Sequence, residues 1–373
     1  MFVIPTLKEL VERTRQAFRV NLPGSDAWLW PNNINPTAKV FAGLAHGVMG
    51  FADYIFRQRF ALTADSENLD LHGEELGLAR RPAAPAQGFV DIVASGAIVC
   101  DAGAILRRAD GVEFRAIAGG SLTGAGTLSV EVIATIDGKQ TVTPAGAPLE
   151  IVSGISDPDA AASVADGGIV NGLDVEDDET FRARILFRKR NPPMGGAAAD
   201  YVQWAGEVSG VSFDGDRSTV FVERLWAGPG TVRVFPLMFD LYADGIPSAA
   251  DVGRVADYLD AVQPAGATVT VAVPLARQID ITISGLTPDR SDVREAVVVA
   301  LRAAFRRLSR VAGNDRKIAG MPYLAYPTTF SRSWLWQAVA NASGEQRHVI
   351  TVPADDVALA AGEFATLGSV TFI

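Results

Sequence analysis

The spacing of apolar residues first changes within residues 80–88 (RRPAAPAQG), and this change restricts the fold more than any other feature. Before it, apolar residues recur every three or four positions, as on one face of an α-helix. After it, short runs alternate between apolar and polar residues, as in half-buried β-strands. Pro82, Pro85 and Gly88 interrupt both patterns. The sequence therefore predicts a helical N-terminal region followed by a β domain.

Three helices are predicted before this change of spacing. The first covers residues 6–20, with Thr6 as its N-cap and Glu9 completing a capping box. The second begins near Asn35, which precedes a proline and is predicted as its cap. The third is predicted to be capped by Ser66.

The second helix carries a broad apolar stripe. The short N-terminal helical region offers few other elements that could bury it. Large exposed apolar patches normally mark interfaces. We therefore expect residues 36–76 to form a helical bundle between subunits. The candidate interface residues on this stripe are Phe41, Leu44, Val48, Phe51 and Ile55.

The rest of the chain mixes strands and helices. Short alternating runs with glycine-rich turns predict an antiparallel sandwich or partial barrel over about residues 86–156. Beyond it, helical and strand-like segments alternate as far as a closing strand, SVTFI. The predicted fold class is α+β and multidomain. The predicted regions are a helical segment (1–80), an antiparallel β-sandwich or barrel-like domain (81–165), a central α+β domain with a helical hairpin (166–264) and a C-terminal α+β domain (265–373).

A charged segment, residues 174–201 (DVEDDETFRARILFRKRNPPMGGAAADY), predicts that helical hairpin. Acidic residues in the first turn and basic residues in the last turn complement the helix dipole. Two prolines stop the helix, and Gly195-Gly196 permit a sharp reversal into a second helix. The four charged residues expected to serve folding and interface geometry are Asp178, Glu179, Arg182 and Arg184, with Asp178–Arg182 and Glu179–Arg182 spaced as intrahelical ion pairs.

Two other interpretations of this segment have weaker support. A calcium loop needs carboxylates at alternating positions and a central glycine, and DVEDDET lacks that order. The basic run RARILFRKR resembles a nucleic-acid patch, but such runs usually form solvated helix faces. The chain's net charge of −10 also disfavours nucleic acid as its main partner.

No set of residues typical of catalysis, metal binding or cofactor binding can be recognised. The three histidines are not spaced as metal ligands, and the single cysteine, Cys100, lies in an apolar run. Neither a nucleophile elbow nor a phosphate-binding loop is present. The N-terminus does not resemble a secretory signal, and the most apolar stretch is shorter than the ~18 residues of a membrane span. We expect a non-enzymatic protein without cofactor or metal, made in a reducing cytoplasm, that does not enter membranes.

Five segments, in order along the chain, resemble the phage baseplate J-like family of contractile-tail baseplate wedge proteins. They are DLHGEELGLARRPAAPAQG, GGIVNGLDVEDDETFRARILFRKRNPPMGGAAADYVQWAGEVSGV, VERLWAGPGTVRV, YLDAVQPAGATVTVAVP and GEFATLGSVTF. The third contains the glycines of the family's Gly-Pro-Gly turn, Gly228 and Gly230. The chain departs from the family pattern at Thr143, where the family often has asparagine, and in the long stretch GNDRKIAGMPYLAYPTTF.

The resemblance implies a structural protein of the virion tail baseplate. It implies that paired copies form a six-fold ring around the central hub. Its implied partners are a tail-protein-I-like wedge protein and a sheath-initiator-like protein, and rearrangement of the ring would release sheath contraction. A tail-associated glycan hydrolase and a glycan-binding module built on the β domain are the alternative functions.

Overall fold

The chain divides into two structural units between Ala79 and Arg80, at the start of the segment where the apolar spacing changes. The computed structural model describes residues 3–29, 32–157, 160–214, 217–313 and 329–373. The predicted stretch GNDRKIAGMPYLAYPTTF lies mostly outside these residues. The first unit is helical, and the second contains every described strand.

The first unit contains α1 (Leu7–Asn21), α2 (Ile34–Gln58) and α3 (Ser66–Glu74). The capping box predicted at α1 is confirmed: Thr6 Oγ1 accepts a hydrogen bond from the Glu9 amide, and the Glu9 carboxylate accepts one from the Thr6 amide. The rings of Phe18 and Phe41 join α1 to α2, with their centroids 6.4 Å apart. α1 and α2 therefore pack as a pair.

The predicted cap of α2 is wrong. The helix begins one residue before Asn35, which is buried in the first turn, and the Asn35 side chain accepts a hydrogen bond from Arg15 at 3.3 Å. The side chain of Asn32 accepts from the Asn35 amide at 2.9 Å. Several asparagines lie at the start of the helix. The hydrogen bond from Arg15 of α1 explains why Asn35 is the buried one and does not cap the helix.

The predicted cap of α3 is also wrong by one residue. Asp65, not Ser66, is the N-cap, and its carboxylate accepts from the Asn68 amide at 3.2 Å. The Tyr54 hydroxyl donates to the same carboxylate at 2.8 Å. Asp65 is held in place by α2, and a serine side chain is too short to make both contacts.

The second unit begins with a closed barrel of six antiparallel strands. These strands are β1 (Gln87–Ala94), β2 (Ile98–Arg107), β3 (Glu113–Ala116), β5 (Gly126–Ala134), β6 (Pro148–Ile155) and β7 (Ala161–Val170), while the short β4 (Gly120–Leu122) pairs with β2. Around the barrel the order is β3-β5-β1-β7-β6-β2, and pairing of β2 with β3 closes it. Alternate apolar side chains fill the interior, including Cys100.

The last barrel strand, β7, lies wholly beyond residue 156, where the alternating pattern was expected to end. β7 contains Gly167-Gly168, which look like a turn in the sequence. A Cβ on Gly88 of β1 would lie 2.4 Å from the Gly168 carbonyl oxygen, so the two backbones approach more closely than side chains allow. The β1–β7 register shifts at this point, which hides the period of two.

The middle of the second unit is a three-stranded sheet covered by helices. Its elements are α4 (Asp178–Arg190), α5 (Ala198–Ala205), β8 (Phe213–Asp214), β9 (Arg217–Ser218), β10 (Val220–Arg224), β11 (Thr231–Pro236), α6 (Ala249–Val262) and β12 (Thr268–Val271). β10 and β11 form an antiparallel hairpin, and α6 connects β11 to the parallel strand β12. Ser248 caps α6, and Asp251 completes a capping box. Buried side chains of α5, α6 and this sheet form one core.

A second three-stranded sheet completes the unit. Its elements are β13 (Leu275–Thr287), α7 (Ser291–Leu308), β14 (Thr329–Phe330), α8 (Arg332–Ala340), β15 (Arg347–Val352), β16 (Val357–Ala358) and β17 (Glu363–Phe372). β13 lies between β15 and β17, and α7 and α8 cover this sheet. Phe221 and Phe235 of the first sheet pack against Val311 and Phe364, which joins the two sheets. The predicted α+β fold with a helical N-terminal segment and a barrel-like β domain is confirmed.

Candidate functional site

The apolar stripe predicted on the second helix is exposed to solvent. Its five candidate side chains are between 53% and 70% exposed: Phe41, Leu44, Val48, Phe51 and Ile55. The buried residues of α2 are Asn35, Ala38 and Ala42. The helix therefore buries small side chains and exposes large apolar ones, the reverse of an ordinary surface helix. We call these five residues the α2 face.

Three charged side chains form a buried cluster beside the start of α4. Glu176 Oε2 accepts hydrogen bonds from Arg184 Nη1 at 2.5 Å and from the Arg81 amide at 3.1 Å. The Arg81 guanidinium lies 3.5 Å from Glu176 Oε1 and donates to the Val211 carbonyl at 2.5 Å. Burial lowers the pKa of Arg81 to about 10, against the opposing effect of Glu176. The cluster ties the segment that enters the barrel to the segment that enters α4.

The other predicted charged residues lie at the edge of this cluster. Asp178 pairs with Arg80 at 2.7 Å, because the segment before the barrel runs beside the start of α4. The predicted pair of Glu179 with Arg182 is present at 3.5 Å, and the Glu179 side chain is 85% exposed. Of the four predicted charged residues, Arg184 has a buried side chain in the cluster. The other three are more exposed to solvent.

Asp200 holds the turn between α4 and α5. It is buried, and its carboxylate accepts hydrogen bonds from the amides of Met194 at 3.2 Å, Gly196 at 2.7 Å and Ala197 at 2.9 Å. Three amides on one carboxylate fix the path of the turn. The helix–turn–helix arrangement predicted from the sequence is present.

Both glycines of this turn have left-handed backbone conformations. Gly195 has φ 73° and Gly196 has φ 120°. A Cβ on Gly196 would lie 3.1 Å from Pro264 Cγ, while one on Gly195 would meet nothing within 4 Å. Gly195 is thus required for its conformation alone, and Gly196 for its conformation and its close contact with the next turn.

An open cleft of 360 Å³ lies where three glycine-containing turns meet. The turns are Gly195-Gly196, the β10–β11 loop at Gly230 and the Pro264–Gly266 segment before β12. Gly230 has φ 80°, and Gly228 in the same loop has φ 118°. The fold therefore gathers candidate glycines that are distant in the sequence, whereas the α2 face belongs to the other unit.

Tyr201 of α5 lines this cleft. It is 1% exposed, and its hydroxyl lies 3.7 Å from the position of a Cβ on Gly196. Burial and the neighbouring Asp200 carboxylate raise the pKa of Tyr201, and Arg224 opposes them. Arg224 and Tyr201 are the ionisable side chains in the lining, which contains no carboxylate.

Within the described residues, no group of three or more histidine, cysteine or acidic side chains is arranged to hold a metal ion. No described helix has the length and apolar character to cross a bilayer. Cys100 lies in the barrel core, where burial raises the pKa of its thiol. Cys100 therefore contributes to packing of the core, and its buried thiol is poorly reactive.

Sequence reasoning missed four residues of these sites: Arg81, Glu176, Asp200 and Tyr201. Glu176 was indistinguishable from the other acids around it, because its burial depends on a segment 95 residues away. Asp200 had a usable signal, since an acid three residues after a helix start commonly binds the free amides there. Nothing local marks Arg81 or Tyr201.

The family comparison matches the middle of the second unit. Residues 193–273 match the model of the Baseplate J-like central domain. The match includes the turn at Gly195-Gly196, the β10–β11 hairpin and the turn before β12. All three turns of the cleft therefore lie inside the matched region.

Two relatives cover most of the chain. One is "Baseplate protein gp47" of Escherichia phage Mu, which is 33% identical over 319 residues, covering 81% of this chain and 84% of the relative. Another is "Mu-like prophage FluMu protein gp47" of Haemophilus influenzae, 28% identical over 385 residues, covering 100% of this chain and 99% of the relative. A chain in the cryo-EM structure of the anti-feeding prophage baseplate aligns over 99% of this chain, with a TM-score of 0.42 and 12% identity. On the relationship to the phage Mu protein, this chain belongs to the phage baseplate J-like protein family.

Proposed function

We propose that this protein is a wedge subunit of a contractile-tail baseplate. In this proposal, paired copies form a six-fold ring around the central hub, located in the virion tail baseplate after synthesis in the host cytoplasm. A tail-protein-I-like wedge protein and a sheath-initiator-like protein are the proposed neighbours, and movement of the ring helps to trigger sheath contraction. Family membership supports assembly into a baseplate, while the individual neighbours are inferred from the family.

The observation that carries the proposal is the exposed α2 face. Burying a large apolar side chain contributes roughly 1.5–3 kcal/mol relative to leaving it in water. Five such side chains along one helix are therefore an unfavourable surface for a free monomer and a favourable one for an interface. A 25-residue helix is about 37 Å long, enough to form several turns of an intersubunit bundle.

Three glycines on the same helix support the proposal. Gly43, Gly47 and Gly50 each have nothing within 4 Å of the position of a Cβ. A glycine inside a helix costs about 0.8–1 kcal/mol relative to alanine. No contact within the described protein explains this cost, whereas a second helix that approaches closely does. Glycine is the residue that permits such an approach.

The test is a triple substitution on the α2 face, Leu44→Gln, Val48→Gln and Phe51→Gln. All three side chains are exposed, so the purified variant should unfold at nearly the same urea concentration as the parent. It should fail to enter baseplates and to co-purify with its wedge partner. A matched control, Val99→Gln with Val152→Gln, changes exposed apolar residues on the barrel. Normal assembly of the triple variant would refute the bundle.

We further propose that the role is structural and not catalytic. Membership of a baseplate family supports this, as does the absence of a recognisable acid–base pair in the sequence. Purified protein incubated with murein should release no soluble sugar and should show no glycan binding. Release of sugar that disappears when one carboxylate is changed to its amide would favour a tail-associated hydrolase.

We also propose that the second unit consists of three modules, at residues 81–165, 166–264 and 265–373. Separate apolar cores in the barrel, the first sheet and the second sheet support three modules. Limited proteolysis of the purified protein should cut first near the 264–265 boundary, because the 165–166 boundary falls inside β7 and is protected by strand pairing. Cleavage inside the barrel strands would contradict them.

A further inference from the structure

The strand β17 forms one edge of the second sheet. It pairs with β13 on one side, and on the other side it makes a single isolated bridge, from Phe364 to Val311. Beyond Phe364, no strand of the described part of the chain pairs with this outer side. A row of backbone N–H and C=O groups at a sheet edge is a template for a strand of another chain.

Other edge strands of the protein carry features that oppose such pairing. At the opposite edge of the same sheet, β15 contains Arg347. In the first sheet, β12 has only four residues, and β10 contains Glu223 and Arg224. Short strands and charged side chains are the usual protection of a sheet edge. β17 has ten residues, and residues 364–373 (FATLGSVTFI) include no charged residue and no proline.

The lack of charge also indicates which strand fits this edge. When two copies of one strand pair in antiparallel orientation, a charged residue near the axis lies close to its own copy, and like charges across a strand pair are destabilising. Residues 364–373 carry no charge, so this repulsion does not arise between two copies of β17. Contacts in which the same surface meets itself about a two-fold axis are also the commonest in homo-oligomers.

A bulge in β17 is satisfied within its own sheet. The register with β13 shifts between Ile279 and Ile281. At this point the Asp280 carboxylate accepts hydrogen bonds from the Ser369 amide at 2.8 Å and from the Ser369 hydroxyl at 2.7 Å. The bulge therefore takes its partner from β13 and not from the outer edge.

An open groove of 520 Å³ lies beside the first half of this edge. Its lining includes the rings of Phe239, Phe305 and Phe364 together with residues 366–368 of β17. At the other end of the strand, Ile373 is 74% exposed. An antiparallel pair brings the end of one strand beside the start of the other. The groove and this exposed side chain can therefore meet twice in one symmetric pair.

We propose that β17 pairs with β17 of a second copy of this chain, in antiparallel orientation about a two-fold axis near Val370. The two three-stranded sheets then form one continuous sheet. In this register Ile373 of each copy stands opposite Leu367 of the other, at the mouth of its groove. About seven residues of each strand pair, a usual strand length in globular proteins. The inference rests on the proposed function, because it names the surface by which paired copies join.

The first test replaces Thr371, an exposed residue near the axis, by cysteine. In the proposed register the two copies of residue 371 are about 8 Å apart, the sum of two residues along a strand and one strand spacing across. A bismaleimide of that reach should join two copies in isolated baseplates, while the buried Cys100 stays unreacted. The matched control is Val349→Cys on β15, an exposed position at the opposite edge of the sheet, which should give no joined copies.

The second test uses charge to identify the partner strand. Two differently tagged copies of the full chain are co-expressed, both with the triple substitution on the α2 face, so that pairing through α2 does not contribute. Thr371→Lys in both copies should lower their co-purification by about fivefold, because like charges then face each other across the strand pair. Thr371→Lys in one copy with Thr371→Glu in the other should restore it. Only pairing of β17 with itself predicts this rescue.

Four results would overturn the inference. They are baseplates that contain the chain but give no joined copies of Thr371→Cys, joining of residue 371 to a different protein, failure of the Lys–Glu combination to restore pairing, and slow reaction of Thr371→Cys with maleimide in the free monomer. The last would mean that the chain covers this edge itself. In each case the wedge assignment would stand. Absence of the chain from isolated baseplates would instead overturn the wedge assignment, and co-purification of the tagged copies would then decide the inference.

Discussion

Glu176 and Glu179 have similar surroundings in the sequence and very different ones in the fold. Glu176 is buried between Arg81 and Arg184, whereas Glu179 extends into solvent. The sequence predicted the helix around them correctly, because acids and bases at its two ends follow from the helix dipole. It could not distinguish the buried acid, because burial comes from a segment that lies far away in the chain.

We predict that Glu176→Gln lowers the free energy of unfolding by about 3–5 kcal/mol. Removing one partner of a buried ion pair leaves the other charges without compensation. The matched control, Glu179→Gln, should cost less than about 1 kcal/mol, because it is an exposed pair. Urea unfolding of the purified variants measures both. Equal effects would mean that solvent reaches the cluster.

Asp251 should make the protein sensitive to acid. Its burial raises the pKa, but hydrogen bonds from Ser248, Tyr242 and Arg254 outweigh burial, so the pKa lies below its usual value of 3.8. A carboxyl with a lowered folded-state pKa stabilises the fold above its unfolded pKa, and this contribution is lost as the pH falls through the folded value. The stability difference between the parent and Asp251→Asn should therefore shrink between about pH 6 and about pH 3. A constant difference would contradict the shift.

At the scale of elements, the sequence identified most helices and strands, because their apolar spacing and caps are local. It missed the end of the barrel, because Gly167-Gly168 allow a close approach of strands and imitate a turn. It also could not show that the turns at Gly196, Gly230 and Gly266 meet. Each turn was recognisable alone, but their meeting depends on the β11–α6–β12 crossover.

We predict that the double change Gly195→Ala and Gly196→Ala lowers stability by about 2 kcal/mol and impairs incorporation into baseplates. Each alanine must adopt a positive φ at a cost of roughly 1 kcal/mol, and at 196 it also presses on Pro264. Gly253→Ala is the matched control, because it lies inside α6 with free space around it. It should be neutral or stabilising in thermal melts. A double variant that melts like the parent would contradict the required turn.

Replacing glycines in α2 by alanine should raise the stability of the free protein, in contrast to the same change at Gly195 and Gly196. Gly43→Ala combined with Gly47→Ala should stabilise the free protein by up to about 2 kcal/mol, because alanine is the better helix former. The same variant should assemble poorly, since its methyl groups obstruct a closely packed partner helix. Thermal melts and baseplate incorporation measure the two effects. Improved stability with normal assembly would mean that these glycines face no partner.

At the scale of the whole molecule, two surfaces of the described residues expose large apolar side chains. One is the α2 face, and the other is the end of the central sheet around the cleft. The sequence predicted the first from its spacing of large apolar residues. The second depends on backbone geometry at Leu225 and on the burial of Tyr201, which have no local signature.

The most direct test of the central claim measures the accessibility of Val48 after its replacement by cysteine. The native thiol, Cys100, is buried with a raised pKa, so its reaction with maleimide is slow and leaves a low background. In the free chain, Val48→Cys should react rapidly, because this position is 70% exposed. In intact isolated baseplates it should be protected, and dissociation of the baseplates should restore its reactivity. Equal reaction rates in free chain and intact baseplates would contradict burial of the α2 face between subunits.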